Sequence, residues 1–465
     1  MEPIRNAKSY VVIIFLSFIS IILIPRCTID DQKATYRNIL EFSDNIKVIN
    51  THEHQRQPKD FGLDTIAFNF YHLLHATYLM QDVISAGGTR LGLDSLGALE
   101  VNDGWEMYGD LLNYTRSTSY YGHFVKGFQK LYDFNDLYFT EANILELSKL
   151  IKKNYVDYPR WFNESFEKAG FELMFQDRFW NSLELSSDKH FAPLFHINQL
   201  VLQVSKRHEP GDNPNSIYAK AREDGFIINT FEAYLEYCDY LFRKNVENHA
   251  VCVKNSLAYS RTLDYADISF EEAENLFAKP SSISWDEARP LQDYMFHWII
   301  KKSVEYDLPI QIHTGYLAGD GNYLENSHPL KLNNLFIKYP GAKFILFHGG
   351  YPWTSEYIAM GKMFPNVYLD LVWLPQISRE KAVLALDEIL DCVPYNKLFW
   401  GGDCAFIEES TGSLEFGKSV VAETLSKRIA RSLLTEDVAY DIVKRIFRDN
   451  AVEVFKLEEK LGREF

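Results

Sequence analysis

Five residues able to bind a metal or transfer a proton occur where short apolar runs end. His52 and His54 form an HxH pair in the segment NTHEH. His313 lies near the end of LPIQIHTG, His348 lies near the end of KFILFHGG, and Asp403 closes KLFWGGD. Alternate residues of a strand face the same side, so the two histidines of HxH can share one metal ion. Imidazole and carboxylate donors suit Zn, Mn or Fe rather than a metal that prefers thiolates.

A divalent metal at such a site would make hydrolysis accessible. It lowers the pKa of a bound water from about 15.7 towards about 7, and an adjacent carboxylate can accept the proton. The resulting hydroxide attacks a carbonyl carbon whose oxygen is polarised by the metal or by an imidazole. The other nine of the 13 histidines lack this placement and are interpreted as structural, including His72, His75, His190, His196, His297 and His328.

These residues need strands that bring them to one place, and the chain contains eight suitable β-rich runs. The runs end in polar or glycine-containing turns, at 46–50, 171–176, 191–197, 250–255, 308–315, 343–350, 367–373 and 397–403. Segments with helical periodicity separate the later runs, at 230–248, 285–306, 330–339 and 381–392. Continuous apolar runs are typical of parallel strands buried on both faces. The alternation predicts an α/β protein with a (β/α)8 TIM barrel over residues 40–465 and an active site at the carboxyl ends of the strands.

The chain is longer than a barrel requires. A plain barrel needs about 250 residues, whereas this chain has 465. The surplus is concentrated after the first strand, at about 61–166, where 71–84, 95–114 and 143–155 have helical periodicity. We therefore predict a large helical insertion after strand 1, over the mouth of the barrel.

Composition and charge indicate which kinds of molecule the protein can bind. Lys and Arg number 48 against 64 Asp and Glu, which gives a formal net charge of −16. Hydrophobic residues make up 46% and charged residues 24%, as in folded globular proteins. The acidic balance opposes nucleic-acid binding, because no excess of cations is available to neutralise phosphates. We expect a small-molecule substrate and no nucleic-acid partner, and the possibility of a homo-oligomer stays open.

The amino terminus resembles an export signal. An apolar run at 10–24 follows Arg5 and Lys8, and its fifteen residues fall short of the roughly 20 needed to span a bilayer. Residues 1–27 are predicted to be a signal peptide or a membrane or lipid anchor. The protein is therefore expected to be exported, to the periplasm or another extracytoplasmic site. Pro25 to Cys27 matches neither processing rule well, so cleavage, lipid attachment and an uncleaved membrane tether all stay open.

The order of motifs resembles the amidohydrolase superfamily. HxH is followed by IHTG at 312–315, HGGYPW at 348–353, YLDL at 368–371 and GGD at 401–403. The chain is most similar to the amidohydrolase-related branch, which includes the amidohydrolase-like domains of nodulin and FluG type proteins. Similarity covers the first strand and nearly everything from 251 to 457. The segment 61–204 matches no part of the family that we can align, and we expect substrate choice to lie there.

The resemblance implies roles for individual residues. His52, His54, His313 and Asp403 would bind the metal, and Asp403 would also be the general base. His348 would be a metal ligand, or the group that polarises the substrate or orients water. Some members carry a carboxylated lysine at the position of Lys254, bridging two metals. A lysine that pairs with the aspartate or with a substrate carboxylate is favoured here, because this branch usually employs a single metal.

Three further residues are candidates for substrate binding. Arg261 follows strand four and can clamp an anion bidentately, although an arginine just beyond a strand is more often solvated. Tyr351 and Trp353 can wall the pocket or pack in the core. The chain also departs from many relatives by carrying Gly401-Gly402-Asp403, with no hydroxyl before the aspartate.

The leading hypothesis is a metal-dependent hydrolase that cleaves a C–N or C–O bond of a small molecule, most simply with Zn and with Mn or Fe as alternatives. A decarboxylase or a uronate-isomerase-like enzyme on the same metal-binding barrel is the first alternative, since uronate isomerases resemble the chain in size and in a helical insertion after HxH. A non-catalytic barrel module is the second. It is disfavoured because metal-binding residues are present at strands one, five, six and eight.

Overall fold

The computed structural model describes residues 29–56, 68–178, 189–206, 216–279 and 284–465. The predicted signal or anchor at 1–27 lies outside the described residues. Within the described ranges, no helix combines the length and the apolar character needed to cross a bilayer.

Short parallel strands occupy the predicted positions. They are β1 (Val48–Glu53), β2 (Phe171–Gln176), β3 (Phe191–Pro193), β4 (Phe195–His196), β5 (Val253–Asn255), β6 (Ile310–Ile312), β7 (Phe344–Leu346), β8 (Val367–Asp370) and β9 (Leu398–Phe399). All eight predicted runs contain a strand, and the third run is divided into β3 and β4 at Leu194. Nearly every strand residue is buried, which explains the continuous apolar runs in the sequence.

The strands form two parallel sheets in the described residues, ordered β1-β2-β3 and β4-β5-β6-β7-β8-β9. Backbone hydrogen bonds also connect β1 with the segment that follows β9. Thr51 N donates to Trp400 O at 3.3 Å, Asp403 N to His52 O at 2.8 Å, and His54 N to Cys404 O at 2.9 Å. The prediction of an α/β protein with parallel sheets is confirmed.

Helices surround these sheets. After α1 (Ile29–Asp44), those between β1 and β2 are α2 (Phe70–Ala76), α3 (Leu79–Ser85), α4 (Leu93–Gly97), α5 (Val101–Thr115), α6 (Ser119–Leu131), α7 (Glu141–Tyr155) and α8 (Tyr158–Ala169). Those after β4 are α9 (Asn198–Leu202), α10 (Ile217–Glu223), α11 (Phe231–Glu247), α12 (Phe270–Phe277), α13 (Trp285–Glu305), α14 (Asn333–Lys338), α15 (Thr354–Met363), α16 (Leu374–Ile377), α17 (Arg379–Cys392), α18 (Ile407–Ala430), α19 (Glu436–Lys444), α20 (Asn450–Phe455) and α21 (Leu457–Leu461).

Helix boundaries follow capping residues that are visible in the sequence. Thr140 begins α7 and Ser284 begins α13, each with a capping box in which the cap side chain and the third helical residue satisfy each other's backbone N–H. Gly170, in the left-handed region at φ 88°, ends α8 directly before β2. The predicted helix at 71–84 is two helices, because Thr77 adopts an extended conformation between α2 and α3.

Helices α2 to α8, with their connecting loops, are here called the α2–α8 segment. It docks on α18 through Glu408, whose buried carboxylate accepts hydrogen bonds from Tyr132 Oη at 2.6 Å, Tyr155 Oη at 2.9 Å and Trp161 Nε1 at 2.9 Å. Helix α6 approaches α18 so closely that a Cβ on Gly127 would lie 2.0 Å from the Glu408 carbonyl oxygen. A glycine is required at that contact.

Candidate metal centre and cavity

The HxH pair meets an aspartate from the neighbouring strand. His52 and His54 lie at the end of β1, and Asp177 directly follows β2. The two strands run parallel with Glu53 opposite Gln176, so their carboxyl ends reach the same place. One ligand atom from each of His52, His54 and Asp177 lies within 4.8 Å of the others. These three residues form a candidate metal-binding triad.

The chemistry of the triad fits a divalent metal. His52 is fully buried, and neither of its ring nitrogens has a hydrogen-bond partner among the described residues. Burial, reinforced by the nearby charge of Lys254, lowers its pKa well below the usual range, so the ring is neutral and able to coordinate. Burial opposes ionisation of Asp177, but His196 at 3.0 Å holds its pKa below the usual range. Two imidazoles and a carboxylate are a common donor set for Zn.

A second carboxylate, that of Asp403, lies beside the triad. Its Oδ1 is 3.1 Å from His54 Nε2 and 3.5 Å from His52 Nε2. Burial opposes protonation of His54, but the hydrogen bond with Asp403 and the charge of Asp177 raise its pKa. The backbone of Asp403 is in the left-handed region at φ 60°. Its N–H donates to His52 O at 2.8 Å and its carbonyl accepts from Tyr78 Oη at 2.7 Å, which fixes the carboxylate over the histidines.

Packing explains why a glycine precedes Asp403. Glu53 points away from the triad, and its carboxylate accepts hydrogen bonds from Asn50 Nδ2 at 2.5 Å and from Cys404 N at 2.8 Å. A Cβ on Gly402 would lie 2.1 Å from Glu53 Oε1. The Glu53 carboxylate therefore fills the space that a side chain at position 402 would need, and the departure from relatives with a hydroxyl follows from this packing.

His313 and His348 form a pair next to the triad. His313 Nε2 contacts Tyr316 O at 2.7 Å, and His348 Nδ1 contacts Val372 O at 3.1 Å. Carbonyl oxygens only accept, so these two nitrogens carry hydrogen. The remaining nitrogens, His313 Nδ1 and His348 Nε2, lie 3.0 Å apart and face each other through their lone pairs. Burial lowers the pKa of His313 to about 3 and that of His348 well below its usual range, so no proton is held between them. A metal ion would satisfy such an arrangement.

Lys254, at the end region of β5, is buried and lies over the Phe347 ring, with Nζ 3.9 Å from its centroid. Burial lowers its pKa to about 8. In the part of the chain that the structure describes, no carboxylate oxygen lies within 4.0 Å of Nζ, so the predicted pairing with Asp403 is not a direct ion pair.

A cavity of about 420 Å³ opens over these residues. One wall comes from the strand ends and contains His54, Asp177, His196, Lys254, His313 and Asp403. The other comes from the α2–α8 segment and includes His72, His75, Arg90, Leu91, Leu93 and Leu96. The strand ends and the α2–α8 segment therefore line one cavity.

Three residues that were predicted to bind the substrate lie outside this cavity. Arg261, Tyr351 and Trp353 are not among the described residues that line the cavity. The buried guanidinium of Arg261 pairs with Asp293 and donates to Gln292 at 3.1 Å, so it is not available as an anion clamp. Tyr351 packs against the core, and the Trp353 ring contacts His328 at a tilt, with ring centroids 4.7 Å apart.

Several functional candidates were missed by sequence reasoning. Asp177 carries a usable signal, because it directly follows the apolar run FELMFQ, but a single acid at a strand end is common. His196 was interpreted as structural, yet it lines the cavity and contacts both Asp177 and Ser256 Oγ, the latter at 3.1 Å. His72 and His75 were interpreted in the same way and also line the cavity.

Comparisons with known proteins agree with the motif pattern. Residues 282–457 match the family model described as Amidohydrolase. The chain is 31% identical over 159 residues to Protein fluG of Emericella nidulans, a match that covers 33% of this chain and 17% of that protein. The chain therefore matches under a fifth of the length of this curated relative.

Solved structures resemble the chain over most of its length. Glucuronate isomerase from Caulobacter crescentus has a TM-score of 0.74 at 16% identity, covering 92% of this chain and 95% of that one. Uronate isomerase from Thermotoga maritima has a TM-score of 0.73 at 13% identity, covering 91% and 97%. A candidate metal-dependent hydrolase from Lactobacillus casei has a TM-score of 0.61 at 15% identity, covering 91% and 98%. At these identities the likeness concerns the fold. Residues 282–457 are therefore similar to the amidohydrolase-related family.

Proposed function

We propose that the protein is a metal-dependent hydrolase that cleaves a C–N or C–O bond of a small molecule. The observation that carries the proposal is the position of Asp403. Its Oδ1 lies 3.1 Å from His54 Nε2, and the residue lines the same cavity as His54 and Asp177. Two imidazoles and Asp177 suffice to hold a metal, which leaves a second carboxylate to transfer protons.

The scaffold we propose is one closed (β/α)8 barrel with the α2–α8 segment inserted after its first strand. Leu194 alone separates β3 from β4, so the two form one continuous run that belongs to both sheets. The backbone hydrogen bonds that join Thr51, His52 and His54 with residues 400–404 support closure at the other edge. Such a barrel would have its active site at the carboxyl ends of the strands, where the triad lies.

In the proposed mechanism His52, His54 and Asp177 hold the metal, with zinc as the simplest choice for this donor set. A bound divalent metal would acidify a water molecule and polarise the scissile carbonyl. Asp403 Oδ1 accepts the proton that the water loses as the new C–O bond forms. The same oxygen returns that proton to the leaving nitrogen or oxygen as the old bond breaks. Lys254 lines the cavity, and its ammonium stabilises negative charge that develops on the substrate.

Isomerisation of a uronate is the competing reaction on this scaffold, and decarboxylation is another. We rank hydrolysis first because much of the cavity wall is apolar. Leu91, Leu96 and Ala318 contribute to it and offer no side-chain hydrogen bonds to a polyhydroxylated sugar acid.

The test is a substrate panel in ¹⁸O-labelled water with the metal-loaded protein. The panel contains amides, lactones, aromatic carboxylic acids and uronates, and products are identified by mass spectrometry. Hydrolysis predicts that one labelled oxygen enters the product and that Asp403→Asn abolishes the reaction. Release of CO₂, or an aldose-to-ketose conversion without label, would replace the proposal with one of the alternatives.

A further inference from the structure

The carboxylate of Asp177 is held by a histidine outside the triad. His196 Nδ1 lies 3.0 Å from Asp177 Oδ1 and 3.0 Å from Asp177 Oδ2. Both side chains are buried. An ionised carboxylate only accepts hydrogen bonds, so Nδ1 carries the hydrogen that the two oxygens share. Because a bond between an N–H and a charged carboxylate is strong, this contact fixes how the Asp177 carboxylate is turned.

The opposite side of the His196 ring is also fixed. His196 Nε2 and Ser256 Oγ are hydrogen-bonded at 3.1 Å. Asn198 Nδ2 donates to the same oxygen at 3.2 Å, and Asn198 Oδ1 accepts the backbone N–H of Ser256 at 3.0 Å. His196 ends β4, Asn198 begins α9 and Ser256 follows β5, which pairs with β4. These three residues are therefore held together where two adjacent strands end.

The backbone of Asp177 is fixed by other contacts. Its N–H donates to Glu53 O at 2.8 Å, and its carbonyl accepts from His54 Nδ1 at 3.0 Å. The second bond leaves Nε2 as the nitrogen with which His54 can bind a metal. With its backbone fixed, the side chain of Asp177 can still rotate about two bonds. The contact with His196 removes that freedom, and it leaves Asp177 Oδ2 3.9 Å from His52 Nε2, within the triad.

We infer that His196 is a positioning residue of the metal centre, which holds the Asp177 carboxylate in the orientation that binds the metal. Ser256 and Asn198 in turn hold the His196 ring. A ligand that is oriented before the metal arrives loses less conformational freedom on binding, so the affinity for the metal is higher. The inference rests on the proposed function, because the metal that it concerns is the one the triad would hold.

The inference is tested by the affinity for zinc, which can be measured without knowing the substrate. Dissociation constants for Zn²⁺ are determined by competition with a chelator on the parent protein and on His196→Phe, His196→Asn and Ser256→Ala. Phenylalanine keeps a ring but has no donor, whereas the asparagine amide can still donate to Asp177.

The matched control is His75→Phe. His75 is also a buried histidine that lines the cavity, but its ring nitrogens contact Tyr71 O at 2.8 Å and Tyr108 Oη at 3.1 Å rather than the triad. The control shows what the loss of a buried imidazole does to zinc binding through the fold alone.

We expect His196→Phe to bind zinc about 10- to 100-fold more weakly than the parent. Ser256→Ala should weaken binding by a smaller factor, His196→Asn should bind more tightly than His196→Phe, and His75→Phe should match the parent. Parental affinity in His196→Phe, or in Ser256→Ala should His196→Phe not fold, would overturn the inference and leave the metal centre standing. An equal loss of affinity in His75→Phe would overturn it as well, because the effect would then come from the fold. Failure of the parent to bind zinc would count against the proposed function itself, and the inference would fall with it.

Discussion

The two walls of the cavity differ in how their side chains are held. The strand-end wall is held by the core of the fold, because the Asp403 N–H donates to His52 O of β1 and because Asp177 is almost completely buried. The wall from the α2–α8 segment is formed by short helices and a loop, and it exposes Leu93 and Arg90 to solvent. Under the proposed function, the strand ends would carry the chemistry and the α2–α8 segment would select the substrate.

Replacing the proposed base should have the largest effect. Asp403→Asn keeps the shape of the side chain but cannot accept the proton, so kcat/KM for the substrate identified in the labelled-water panel should fall by about 10³-fold. Metal content should not change, since the triad is intact. Asp110→Asn, on the exposed face of α5, is the control and should retain parental kinetics. Activity within tenfold of the parent in Asp403→Asn would show that another group is the base.

The next largest effect is expected from weakening the contact between the α2–α8 segment and α18. Glu408→Ala removes the acceptor shared by Tyr132, Tyr155 and Trp161, leaving three buried donors without a partner. We expect the free energy of unfolding in urea to fall by about 3 kcal/mol. Glu146→Ala, at an exposed ion pair on α7, should cost less than about 0.5 kcal/mol. The folded Glu408→Ala protein should still bind metal, and loss of metal would show that the walls are not independent.

The strand-end wall can be perturbed sterically without touching a ligand. Gly402→Ala forces a Cβ against Glu53 Oε1 and should cost about 1–3 kcal/mol of stability. Gly341→Ala is the matched control, because the new Cβ would meet only Val304 at 3.8 Å. Equal melting temperatures for the two variants would refute the steric account of Gly402.

The smallest expected effect is on the pH dependence of folding stability. Burial raises the pKa of Glu408 despite its three donors, so the folded protein holds the proton more tightly than the unfolded chain does. The stabilisation is complete below the unfolded pKa of about 4.3 and is lost as the pH rises through the raised folded value. Glu408→Gln removes this titration, and its stability should fall less than that of the parent between acidic and neutral pH. If the stability of the parent and of Glu408→Gln changed equally with pH, the raised pKa of Glu408 would be contradicted.

Local patterns made the strand-end wall predictable. Each strand is a continuous apolar run, and HxH, His313, His348 and Asp403 lie within or just after such runs. Asp177 was missed because its importance comes from the pairing of β2 with β1, which joins residues over a hundred positions apart. The pairing of Arg261 with Asp293 was missed for the same reason, since Asp293 lies on another helix, α13.

The wall from the α2–α8 segment was predictable only as helices. Periodicity located α2, α5 and α7, but it does not specify which helix face meets the strand ends. His72 and His75 were therefore interpreted as structural, and only the docking of the segment on Glu408 brings them to the cavity. Side chains placed by contacts between distant elements have no signature in a single sequence.

The metal content of the purified protein is the most direct test of the central claim. Elemental analysis after dialysis should find at least about one divalent ion per parent chain, as expected for a site with two imidazoles and a carboxylate. One equivalent should be lost in His52→Ala and in Asp177→Asn. It should be retained in His249→Asn, a change at an exposed histidine far from the triad in sequence. A metal-free parent, or metal binding that is unaffected by both triad variants, would contradict the account.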